Sequence, residues 1–188
     1  MSRVGGVSEP FVILLLSGSL REGSTNAAAL RTAASVAPAG IETVAYDGMA
    51  SLPHFNPDDD REGEPIAEAV AEMRAAVHSA DALLICTPEY AGALPGSFKN
   101  LLEWTVGDGS TYEKRVAWIN VSGSAAPTGG ADAHDSLRKV LGYVHARIIE
   151  EACLRLPVSR GGVDESGLIA DPAAREAIAG ALMTLARS

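Results

Sequence analysis

The residues best suited to chemistry lie in one short stretch, residues 17–26, which reads SGSLREGSTN. Hydroxyl and amide side chains (Ser19, Ser24, Thr25 and Asn26), two glycines (Gly18 and Gly23) and Arg21 follow an apolar run and precede an alanine-rich segment. That order predicts a loop between a buried strand and the first turn of a helix. The N–H groups of a first helical turn lack intrahelical partners and sit at the positive end of the helix dipole. Glycine lets the backbone approach a ligand closely, and a guanidinium fork matches phosphate oxygens. The chemistry on offer is anion binding, foremost of a phosphate. The plainer alternative is a turn in which Ser24 only caps the helix. No Gly-Lys-Ser/Thr ends the loop, so no lysine reaches a β/γ-phosphate. The G-x-G-x-x-G spacing of a dinucleotide site is absent as well. Hydroxyls, backbone and one arginine suit a single terminal phosphate monoester.

The elements that must position this loop follow from hydrophobic periodicity. Residues 11–17 form a continuous apolar run, as expected of a strand buried on both faces. Leu30, Ala33, Ala34 and Ala37 then mark an apolar helical stripe that stops before Pro38 and Gly40. Strand two is expected at 41–46. An irregular stretch, 47–64, carries the acidic run 58–60, read as a solvated loop. Pro65 suits the first turn of a second helix, with Ile66, Val70, Met73 and Val77 on one face. Strand three is expected at 81–87, a third helix at 96–106 and strand four at 115–121. Leu137, Val140, Leu141, Val144 and Ile148 mark a fourth helix, 149–158 contains strand five, and Asp171 caps a last helix with Pro172 at its first position.

Five strands alternating with five helices predict an α/β fold: a doubly wound, five-stranded parallel sheet with helices on both faces. Ligands bind such sheets beyond the carboxyl ends of the strands, at the switch in strand order. Three unusual loops, 17–26, 88–96 and 122–130, follow strands one, three and four. In the order 2-1-3-4-5 those strands are neighbours, so the three loops are expected to converge on one site.

The first loop resembles the phosphate loop of the NADPH-dependent FMN reductase family, which has a flavodoxin-like fold. The second loop strengthens the resemblance. Residues 87–104 read TPEYAGALPGSFKNLLEW. They are similar to that family's P-E-Y-N segment followed by P-G, K-N and an acidic residue before tryptophan. The matches are Pro88, Glu89, Tyr90, Pro95, Gly96, Lys99, Asn100, Glu103 and Trp104. The likeness points toward the small quinone, chromate and azo-dye reductases of the family.

The resemblance implies FMN as cofactor, held at its phosphate by Ser19, Arg21, Ser24 and Asn26, with Leu20, Gly23 and Thr25 completing the loop. It implies that Pro88, Glu89, Tyr90 and Ala91 run along the isoalloxazine ring and that Ser122 and Gly123 border its other side. Ala91 departs from the family's asparagine, which removes a side-chain hydrogen bonder there. The implied activity is a ping-pong oxidoreductase. NADPH or NADH reduces FMN, which then reduces a small-molecule acceptor: a quinone, azo compound, chromate or flavin. The flavin itself carries the hydride, so no catalytic side chain and no metal is expected. A homodimer or homotetramer is implied, with Tyr90, Trp104 and the loop around Asn56 as candidates to close the site. A flavodoxin-like electron carrier, or a flavin-binding redox sensor, is the rival reading. Tyr90 is the one aromatic in the second loop and 122–130 contains none, which favours a ring open to substrate. Plainer roles stand beside these: Tyr90 and Trp104 as packing groups, Lys99 as surface cover and Asn100 as a tie between loops.

The totals bound the remaining classes. The 188 residues suit one domain, 11–188, after a flexible segment 1–10. A formal net charge of −9 and a pI near 4.9 argue against nucleic acid and anionic membranes as partners. The first ten residues lack the apolar core of a signal peptide, and no apolar run approaches a membrane span, so a cytoplasmic location is expected. Cys86 and Cys153 read as reduced, buried thiols.

Overall fold

The computed structural model describes residues 9–123 and 126–188. Residues 1–8, most of the segment expected to be flexible, lie outside that range. Strand β1 (Phe11–Ser17) is flanked by β2 (Ile41–Tyr46) and β3 (Ala82–Cys86), with β4 (Arg115–Asn120) beyond β3. All pair in parallel. The order is 2-1-3-4-5, as the alternation of strands and helices predicts.

Side chains alternate across a strand, and here both sets are apolar because both faces are covered. Ile13, Leu15, Leu84, Ala117 and Ile119 pack against helices α1 (Thr25–Ser35) and α5 (Pro172–Arg187). Leu14, Leu16, Leu83, Ile85, Val116 and Trp118 pack against α2 (Glu68–Ser79), α3 (Gly96–Glu103) and α4 (Ala131–Tyr143). No helix among the described residues is long and apolar enough to cross a membrane.

Four expectations need correction. Strand five is not continuous. It is split into β5 (Arg147–Ile148) and β6 (Leu154–Arg155), each parallel to β4, with a tight 3-10 turn at Glu150–Ala152 between them. Ile148 belongs to β5 and not to the fourth helix. That helix ends at Tyr143, where the N–H of Ala146 reaches Leu141 O at 3.0 Å and His145 turns left-handed at φ 55°. Pro65 lies before α2, not in its first turn. The chain stays extended through Ala67, so that Ile66 packs on the core before the helix begins. Within the acidic run, Asp58 and Asp59 are exposed, but the Asp60 side chain is only 8% exposed and pairs with Arg74 at 2.8 Å. Arg74 is buried on α2 and also donates to Trp104 O, at 2.7 Å from Nη2. A buried guanidinium requires a counter-charge, and Asp60 is drawn in to supply it.

Candidate active site

The carboxyl ends of β1, β3, β4 and β6 open onto one cleft of about 370 Å3. The first loop reaches it by folding on itself. The N–H of Ser19 donates to Ser17 Oγ at 3.3 Å, and the N–H of Arg21 donates to Ser19 Oγ at 3.2 Å. Gly23 turns left-handed at φ 62°. Ser24 is buried, and its Oγ accepts from the Ala27 N–H at 3.1 Å. Ser24 therefore opens α1 as its N-cap rather than lining the cleft. Among the described residues the N–H groups of Thr25 and Asn26, next in line, have no partner.

Asn26 is oriented from below. Its Oδ1 accepts from the Cys86 thiol at 3.3 Å, which leaves its amide NH2 available. Burial pushes the Cys86 thiol pKa up, so it stays a protonated donor. Gly18 is what lets the loop lie on β3. Its N–H donates to Cys86 O at 2.9 Å, and a Cβ there would run into the Thr87 side chain.

The second loop turns back through a reciprocal pair, Tyr90 N–H to Ala93 O and Ala93 N–H to Tyr90 O, both 3.1 Å. Ala91 and Gly92 between them are left-handed, at φ 52° and 72°. Asparagine tolerates that backbone far better than alanine. The departure at Ala91 is thus a backbone matter as well as a lost side-chain donor. Glu89 accepts a short hydrogen bond from Thr128 of the third loop.

The third loop is braced at both ends. Asn120 accepts from the Ser122 N–H and donates to Gly129 O, both at 2.9 Å. Gly130, at φ 81°, sits so close that a Cβ would meet Ser122 Oγ at 2.5 Å. A carbonyl only accepts, so His134 Nδ1 carries the proton it gives to Gly130 O at 2.6 Å. Burial holds the His134 pKa below the usual histidine value.

The cleft wall brings together Ser19, Arg21, Thr25 and Asn26 with Pro88, Glu89, Tyr90, Ser122 and Gly123. Leu20, Gly23, Ser24 and Ala91 lie in the same loops but not on the wall. Trp104 is 1% exposed and donates its indole N–H to Pro53 O at 2.9 Å. It is a core residue of this chain, and Asn100 ties loops as expected, bonding Phe55 N–H and Pro53 O. Val121, Ala126, Pro127, Val158 and Arg160 also line the cleft. Val158 and Arg160 went unremarked in the sequence, although the rule that ligands bind past strand ends applies to the last strand too.

The donor set fits FMN. Free N–H groups at a helix start, the hydroxyls of Ser19 and Thr25, and guanidinium groups can take a phosphate. Largely uncharged loop walls suit a flat ring. The family described as NADPH-dependent FMN reductase matches residues 12–161. This chain belongs to that family. It is 33% identical over 176 residues to a quinone reductase of Escherichia coli (strain K12), covering 92% of this chain and 87% of that protein. It is 32% identical over 180 residues to an NAD(P)H-dependent FMN reductase of Pseudomonas aeruginosa, covering 95% of each. The fold matches that of FerB, a flavoenzyme NAD(P)H:(acceptor) oxidoreductase from Paracoccus denitrificans. That match has a TM-score of 0.79 and 23% identity, over 94% of this chain and 95% of that one. As an FMN reductase the protein is an FMN-dependent oxidoreductase that draws hydride from NAD(P)H.

Proposed function

We propose that this FMN reductase is a quinone reductase with a ping-pong cycle. NADPH or NADH occupies the open side of the cleft and leaves, and a quinone then takes the same place. When bound, FMN supplies the hydride acceptor and passes the electrons on. The chain's own residues bind and orient. Ser19, Arg21 and the N–H groups of Thr25 and Asn26 hold the phosphate end. Pro88, Glu89 and Tyr90 border one side of the ring, with Ala91 shaping the turn behind them and Ser122 and Gly123 on the other side. Leu20 and Gly23 shape the first loop, and Ser24 fixes the helix start.

The observation that carries this reading is the single aromatic in the cleft wall. Tyr90 is 51% exposed, and no aromatic in residues 122–130 stands opposite. One face of a bound ring is thereby left to a flat acceptor. Tyr90 and Leu20, both exposed apolar groups on loops, suit burial between copies in a homodimer or homotetramer. Residues 11–188 act as one domain. The low pI and the paucity of nucleic-acid features fit a cytoplasmic enzyme of small molecules.

The test is an anaerobic absorbance experiment on FMN-loaded protein. Flavin bands that bleach with NADPH or NADH, and return with a benzoquinone faster than with an azo dye or chromate, are expected. Bands that persist with both donors would overturn the enzyme reading in favour of a carrier or sensor.

A further inference from the structure

Arg160 comes into the cleft from a segment far from the first three loops. After β6, the N–H of Leu156 donates to Asn120 O at 2.8 Å and that of Val158 to Val121 O at 3.1 Å. The chain therefore continues along the end of β4 and enters a tight 3-10 turn at Arg160–Gly162, closed by the Gly162 N–H on Ser159 O at 3.0 Å. The rest of this excursion is fastened to α1. Arg31 donates twice to Gly167 O, at 3.2 and 3.1 Å, and the Ile169 N–H donates to Thr32 Oγ1 at 2.8 Å. The turn is held on the side of the sheet that α1 covers, and Arg160 shares the cleft wall with Arg21, Thr25 and Asn26.

The charge arrangement is specific. Among the described residues neither the Arg21 nor the Arg160 guanidinium makes an ion pair, whereas Arg74, Arg138 and Arg175 each have an acidic partner. Two free guanidinium groups face one cleft in a chain of net charge −9. The one acidic wall residue, Glu89, is engaged by Thr128. Two unpaired cations lining one cleft favour an anion within it. A phosphate monoester near neutral pH carries about −1.5 to −2, which matches two cations rather than one.

We infer that Arg160 is a second phosphate-binding residue, reaching the terminal phosphate of FMN from the same cleft wall as Arg21. The inference rests on the cleft being the FMN site. It assigns to the 159–170 excursion a ligand-binding role, and it makes the site selective for FMN over riboflavin.

The test measures dissociation constants of the apoprotein for FMN and for riboflavin by quenching of flavin fluorescence, in the native chain and in Arg160→Gln and Arg160→Lys. Arg160→Gln is expected to weaken FMN about tenfold, the scale of one charge-assisted contact at an exposed site, and to leave riboflavin within about twofold. Arg160→Lys is expected to fall between. The Arg160 side chain is exposed, so the thermal midpoint of the apoprotein serves as a folding control and is expected to hold. Equal loss for both flavins would overturn the assignment and put Arg160 at the ring. No change for either flavin, with a raised KM for NADPH, would overturn it in favour of the donor. A native apoprotein that takes up neither flavin would overturn the FMN reading itself, which is a separate result.

Discussion

The loop at residues 17–26 folds on its own hydrogen bonds, whereas the loop at 122–130 is braced by groups that reach across the chain. In the first, Ser19, Arg21 and Ala27 N–H groups bond side chains only two or three residues away. In the second, Asn120 reaches Gly129 across nine residues, and Thr128 bonds Glu89 across 39. The first loop takes its shape from the strand before it and the helix after it, and touches a distant strand only through Gly18 and Asn26, both bonded to Cys86. The second needs another loop already in place. The first loop is thus shaped mainly by local bonds, and the third loop by tertiary ones.

The comparison is broken most forcefully at Gly18, the place where the local loop depends on a distant strand. Gly18→Val would drive a side chain into Thr87, whose Cα lies 3.0 Å from the added Cβ. We expect a loss of about 3 kcal/mol in urea unfolding, from overpacking, together with loss of bound FMN. A variant that keeps both would show that the loop yields.

Asn120→Ala tests the tertiary loop. It strands the Gly129 carbonyl and the Ser122 N–H together, with an expected cost of about 2 kcal/mol. The change should alter the visible circular dichroism of bound flavin, a reporter of the ring's surroundings. An unaltered flavin spectrum would mean that the brace does not shape the ring end.

Ser24→Ala should cost about 1 kcal/mol, the worth of an N-cap, with FMN weakened and the ring spectrum unchanged. A changed ring spectrum would blur the distinction between the two ends. Ala91→Asn should add about 0.5–1 kcal/mol, because asparagine relieves a left-handed alanine, and this is readable in the same urea titrations.

The smallest effect concerns pH. His134 is buried, its folded pKa lies below the unfolded value, and the unfolded chain therefore binds more protons as pH falls. Its contribution is full above the unfolded histidine pKa of about 6.5 and is lost as pH falls through the folded one. Stability should decline as pH falls below the unfolded histidine value of about 6.5, and His134→Gln should flatten that decline. An unchanged slope would assign the acid sensitivity to other groups.

Much of this was legible in the residues. Apolar runs gave β1, β3 and β4, because strands covered on both faces are apolar throughout, whereas the edge strand β2 shows as alternation in IETVAY. Ser24 and Asp171 marked helix starts as caps. The two motifs identified the family, and half of the cleft wall lies in the loops they name. Other features were not legible. The apolar pattern of 149–158 is compatible with one strand, and its break at Glu150–Ala152 follows from packing against α5 and β4. Ile148 continues the helical spacing of α4 by coincidence, and only the left-handed turn at His145 separates them. Asp60 in an acidic run gives no sign that it must neutralise Arg74, fourteen residues on.

The sequence by itself determined the order of strands and helices, the local phosphate loop and the flavin family, since all three rest on periodicity and contacts a few residues long. Tertiary structure decided which side chains share the cleft. It brought in Val158 and Arg160, sank Trp104 into the core and bound the third loop to the second. The physical reason is the same in each case. Contacts between residues tens of positions apart are fixed by strand order and packing, and no short window of residues contains them.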